Sequence, residues 1–136
     1  MGWVRRAGVL LVVLVMVLGL GGVAAGAKKK HKKKGHPWDS QMTLSHPSTT
    51  QFSGVVSSKL DACRSSRVVI LFYTDPNTQQ TSPLSVQRTD GKGHYEVNLS
   101  TPTYAGEYQA EVLQRRIRAM KAPQTCRGAK SGAISV

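Results

Sequence analysis

The chain has 136 residues, with 19 Lys or Arg against 7 Asp or Glu and a formal net charge of +12. That length has room for one folded core, and the charge excludes a preference for cationic partners and favours anionic ones. The scattered carboxylates, four histidines and absence of a Gly-x-Ser-x-Gly elbow leave no acid/base pair or activated nucleophile, so the chain reads as non-enzymatic and without a cofactor.

Arg5 and Arg6 precede an uncharged apolar run from Ala7 to Leu20, which leads into the small-residue end Val23-Ala24-Ala25-Gly26-Ala27. These are the parts of a secretory signal over residues 1–27, with cleavage expected after Ala27. The alternative is an uncleaved anchor helix, because Ala7 to Ala27 carries no charge and matches the ~20 residues that span a bilayer. The lysines just after Ala27 outnumber Arg5 and Arg6, which opposes the usual positive-inside orientation. The protein is expected to be secreted or associated with the cell envelope, or membrane-anchored if the signal helix is retained.

Residues 28–51 differ in composition from the remainder of the chain. Lys28, Lys29, Lys30, Lys32, Lys33 and Lys34 form a polybasic run, and Ser40 to Gln51 is rich in Ser, Thr, Gln and Pro. The segment reads as a disordered basic linker whose lysines repel one another and lie against an anionic surface. The candidate surfaces are anionic cell-wall polymer and membrane headgroups, each bound with counterion release and so with a steep salt dependence. Nucleic acid is disfavoured, since Trp38 is the lone aromatic after the run and nothing interleaves with the lysines to stack on bases.

From Phe52 onward the pattern predicts strands at Phe52–Val56, Arg67–Tyr73, Leu84–Arg88, His94–Leu99, Glu107–Gln114, Arg116–Met120 and Ala133–Val136. Val68 to Tyr73 is apolar at both parities, which predicts a central strand covered on both faces. Asp75-Pro76-Asn77 predicts a turn, with a loop over Thr78–Pro83. Asp90-Gly91 and Gly93, followed by alternation of Tyr95, Val97 and Leu99 and then of Tyr108, Ala110 and Val112, predict a hairpin with two half-buried strands. His94 and Glu96 share one face of such a strand, as a solvent-facing pair or a weak metal pair.

Cys63 and Cys126 are the two cysteines of a chain read as exported, and one disulfide is the simplest outcome. Metal ligation would want further Cys or His at close spacing, which neither cysteine has. Arg115, Arg116, Arg118, Lys121, Arg127 and Lys130 come after the last acidic residue, Glu111, and make one end of the domain basic. Arg115, Arg116 and Arg118 join the lysine run as candidate anion-binding residues, with scattered solvated charge as the alternative.

Thr89-Asp90 through Gly93-His94-Tyr95, followed by Ala105-Gly106-Glu107-Tyr108 and a valine, resembles the carboxypeptidase regulatory-like domain, in its small exported bacterial form. The resemblance covers roughly Phe52 to Val136. It implies an all-β, about seven-stranded antiparallel β-sandwich of transthyretin (prealbumin) type over 52–136, with a structural or adhesive accessory role. It touches the accessory domain and not the zinc-bearing one, so it implies no peptidase. The functional expectation is an exported, monomeric binding module without a small-molecule substrate. The alternative is a passive sandwich for which the lysine run is a spacer.

Overall fold

The computed structural model describes residues 35, 37–118 and 122–136. The expected signal at 1–27, the lysines Lys28 to Lys34 and the end of the expected strand at Met120 lie outside the described residues. Among the described residues the elements in chain order are β1 (Pro37–Trp38), β2 (Ser40–Met42), β3 (Ser45–Ser48), β4 (Gln51–Ser58), a 3-10 turn (Asp61–Cys63), β5 (Val68–Thr74) and β6 (Thr81–Arg88). They continue with β7 (His94–Asn98), β8 (Glu107–Val112), β9 (Arg115–Ile117), β10 (Gln124–Cys126), β11 (Ala129–Lys130) and β12 (Ile134–Ser135). The fold is all-β and almost wholly antiparallel, the β1–β10 pair being parallel. No described helix is long and apolar enough to cross a membrane.

Two sheets face one another. One joins β2, β3, β4 and β7, and the other runs β6–β5–β8 with β11 and β12 on the far side of β8. Alternation decides which side chains lie between them. Phe52, Val56, Tyr95 and Val97 come from the first sheet and Val69, Leu71, Tyr108, Ala110 and Val112 from the second, and all are buried in one cluster. Phe52 and Tyr108 meet across the gap with ring centroids 4.8 Å apart, in the tilted geometry aromatic pairs prefer. This is the sandwich expected from the sequence.

Four expectations need correction. First, the segment expected to be a disordered linker over 28–51 contains β1, β2 and β3. Met42 is buried in the core, Leu44 packs against it, and His46 stacks on Phe52 at 4.6 Å, a period-two pattern set among Ser, Thr and Pro. The folded domain therefore starts well before Phe52.

Second, the strands on either side of Ser100–Gly106 do not pair as a hairpin. β7 pairs with β4, while β8 pairs with β5. Each buries one face toward the same core from opposite sides, which puts them in different sheets. The turn at Asp90–Gly93 likewise carries the chain from one sheet to the other. Asp90 Oδ1 accepts from the amides of Lys92 and His94, both at 2.8 Å, and these bonds hold its carboxyl below the usual range. Gly93 sits there at φ +94, and a Cβ would overlap the Val56 carbonyl oxygen, so only glycine fits.

Third, β5 is central, between β6 and β8, but only one of its faces is fully buried. Val69 and Leu71 are buried, whereas Val68, Ile70 and Phe72 are partly buried. Fourth, the loop expected over Thr78–Pro83 is shorter, because Thr81–Pro83 already pairs with β5. Asp75 Oδ1 tightens the turn by accepting from Asn77 and Thr78.

Candidate anion-binding site

The residues that form one end of the sandwich are tied to the disulfide. Cys63 and Cys126 are bonded, with Cα atoms 5.3 Å apart, and both are fully buried. The sequence separation of 63 gives a loop whose closure contributes about 4 kcal/mol on the chain-entropy model.

Beside the disulfide lies Arg67, fully buried and with no carboxylate partner among the described residues. One guanidinium nitrogen donates to Cys63 O at 2.7 Å and Ser40 Oγ at 3.1 Å, and the other to Leu113 O at 2.7 Å and Arg127 O at 2.9 Å. Burial, and then the neighbouring Arg115 charge, lower its pKa from the ordinary value. Four acceptors from four separate segments thus close on one cation. Three backbone carbonyls at this end of the sandwich find a donor here.

Above this hub a small third sheet runs in the order β1–β10–β9. Cys126 pairs with Trp38 on one side and Arg115 on the other, and Thr125 pairs with Pro37 and Arg116. The β1 side is well fixed. Trp38 Nε1 donates to Gln124 Oε1 at 2.7 Å, Arg127 pairs with Asp39 at 2.8 Å, and a Cβ at Gly35 would overlap the Pro123 carbonyl oxygen. The chain that carries Lys28 to Lys34 in sequence therefore joins the fold two strands away from Arg115–Ile117, about 10 Å at the usual strand spacing.

The candidate arginines separate into two kinds. Arg115 donates to Ser65 O at 2.9 Å and to Ser66 O at 3.3 Å, so its charge is engaged in holding β9 to the loop before β5. Arg116 and Arg118 are exposed and have no hydrogen bond or ion pair among the described residues. Among the other described cations, Arg64 pairs with Asp61, Arg127 with Asp39, and Lys130 with Glu111 at 3.6 Å. Within β9, strand periodicity puts Arg116 on the face opposite Arg115, and Arg118 follows the end of the strand.

His94 and Glu96 lie on the exposed face of β7, beside an open groove of about 680 Å³ also lined by Ser45, Ser53 and Arg88. His94 Nδ1 is 3.8 Å from Asp90, while bonds from Asn98 and Gln51 hold the Glu96 carboxyl below its usual range. Among the described residues no group of three or more His, Cys, Asp and Glu is placed to hold a metal ion.

The sequence reading missed Arg67, which in sequence is one charge before an apolar run. Its position four residues after Cys63 was the available signal. No family model, curated protein or solved structure matches the chain.

Proposed function

We propose that the protein is a non-enzymatic, exported β-sandwich module that attaches to anionic polymer or headgroups of the cell envelope. The lysines Lys28, Lys29, Lys30, Lys32, Lys33 and Lys34 and the exposed arginines Arg116 and Arg118 act in this reading as one basic surface, with Arg115 and the disulfide as its support. The observation that supports it is the β1–β10–β9 sheet, in which β1, the first described strand after the lysine run in sequence, lies two strands from β9 and Arg116, which is unpaired among the described residues. Free cations close together attract an anionic polymer cooperatively, whereas cations paired with Asp or Glu contribute little. The buried disulfide supports an oxidising compartment, which agrees with export. The carboxypeptidase regulatory-like relationship belongs to the same proposal, with an adhesive rather than a peptidase role.

The test is co-sedimentation of the exported protein with isolated envelopes over a salt series, beside a variant with the six lysines changed to serine. Retention that requires the lysines and falls steeply with salt is the expected result. Equal retention of both proteins, or retention indifferent to salt, would leave the passive spacer reading in its place.

A further inference from the structure

Arg67 directly precedes β5, and Tyr73 lies near the far end of that strand, about 20 Å along the extended chain. There the segment between β7 and β8 borders a pocket of about 170 Å³. Its backbone is held from several sides. Tyr108 Oη accepts from the Tyr104 amide and donates to the Tyr104 carbonyl, both at 2.9 Å, Tyr73 Oη donates to Ala105 O at 3.0 Å, and the Thr103 amide donates to Thr49 O at 2.7 Å. The chain on both sides of the Tyr104 ring is therefore fixed, yet that residue stands 67% exposed.

Two kinds of side chain line the pocket. Tyr73 and Tyr108, whose hydroxyls are engaged by the backbone, join Leu84, Leu99 and Pro102 in its apolar part. Ser100, Thr101 and Thr103 make its polar part, and neither their hydroxyls nor that of Tyr104 has a hydrogen bond among the described residues. No residue lining it carries a charge.

We propose that this pocket binds one neutral sugar ring of a glycan. Size sets the first limit: a closed cavity of about 150 Å³ takes up benzene, so this pocket has room for one six-membered ring and little more. Charge sets the second, because a phosphate, carboxylate or amine would give up water here without meeting a countercharge. The free hydroxyls set the third. A proline ring or an aliphatic side chain would cover Ser100, Thr101 and Thr103 and leave their hydroxyls unpartnered, whereas a pyranose offers hydroxyls around its rim and C–H groups on its face. Those C–H groups suit the electron-rich face of an exposed tyrosine. With only two torsions on a fixed backbone, the Tyr104 ring also gives up little freedom on binding. The site does not rest on the proposed envelope attachment, which is electrostatic and weakens with salt, whereas a contact without charge does not.

The test is titration of the full chain with short neutral oligosaccharides of glucose, mannose, galactose and N-acetylglucosamine, and with hexaproline beside them, at low and high salt, followed by amide chemical shifts. At least one of the sugars is expected to bind with a dissociation constant on the order of 0.1–1 mM, unchanged by salt, with the shifts gathered on Ser100–Ala105. Tyr104→Ala is expected to keep the parent's thermal midpoint, since Tyr108 bonds only the backbone of that residue, and to weaken binding at least about tenfold. Tyr104→Phe keeps the ring and should stay within about threefold of the parent, while Thr101→Val with Thr103→Val keeps the shape and should cost about fivefold. Absence of binding by every sugar, binding that Tyr104→Ala or the double valine variant leaves intact, or hexaproline bound in place of the sugars would overturn the proposal, the last by assigning the pocket to a proline-rich peptide.

Discussion

Arg67 and Arg116 lie at the same end of the sandwich and are the same residue type, yet their surroundings give them opposite roles. Arg67 has lost its water entirely and satisfies four acceptors from four segments. Arg116 keeps its water and touches no acceptor among the described residues. The difference teaches that a basic end is not uniform: its inner cation ties segments of the fold together, and its outer ones stay in water. Stability and attachment should therefore respond to different substitutions.

The largest effect belongs to the inner part. Cys63→Ser removes a loop closure worth about 4 kcal/mol and leaves Cys126 buried alone, so folded protein is expected to fail to accumulate after export. A thermal midpoint within a few degrees of the parent would contradict this. Arg67→Met, similar in length but with no donors, strands three carbonyls and a hydroxyl, and is expected to cost about 3 kcal/mol in urea unfolding. Arg67→Lys should recover only part, since one ammonium cannot reproduce the guanidinium fork. A neutral Arg67→Met would erase the distinction between the two arginines.

Gly93→Ala comes next, at about 2 kcal/mol, through a positive φ and the overlap with the Val56 carbonyl. An unchanged urea midpoint would show that the crossover turn can shift.

The sheet that this turn enters also carries a pH signature. Tyr95 is buried, its hydroxyl donates to Thr43 O at 2.5 Å, and burial pushes its pKa up to about 12. A raised folded-state pKa means that the contribution is complete below the unfolded value near 10 and is lost as pH rises toward 12. The melting temperature is expected to fall across that window, with Tyr95→Phe showing a shallower fall; parallel curves would refute the assignment.

How far the sequence carries depends on what each residue signals locally. Tyr95, Val97, Tyr108, Ala110 and Val112 announce their buried faces by alternation, and all five are buried. Alternation names a face but not a partner strand, which is why a crossover between sheets read as a hairpin. Met42, Leu44 and His46 alternate too, but across a few residues set among Ser, Thr and Pro, and composition hid the pattern. The disulfide was legible from two cysteines in a chain read as exported. Arg67 was not, because its role depends on carbonyls from residues up to 60 positions away.

For the outer cations the expected effect on stability is the smallest. Arg116→Ser with Arg118→Ser should leave the urea midpoint unchanged, within about 0.5 kcal/mol, because both side chains are exposed and neither makes a hydrogen bond or ion pair among the described residues. The most direct test of one basic surface is envelope retention of this double variant, measured against salt beside the parent and the six-lysine variant. The expected result is a fold as stable as the parent with retention reduced and a shallower salt dependence, in the same direction as the lysine variant. Retention equal to the parent's at every salt concentration would mean that these arginines take no part, and that the lysine run acts without the surface it is joined to.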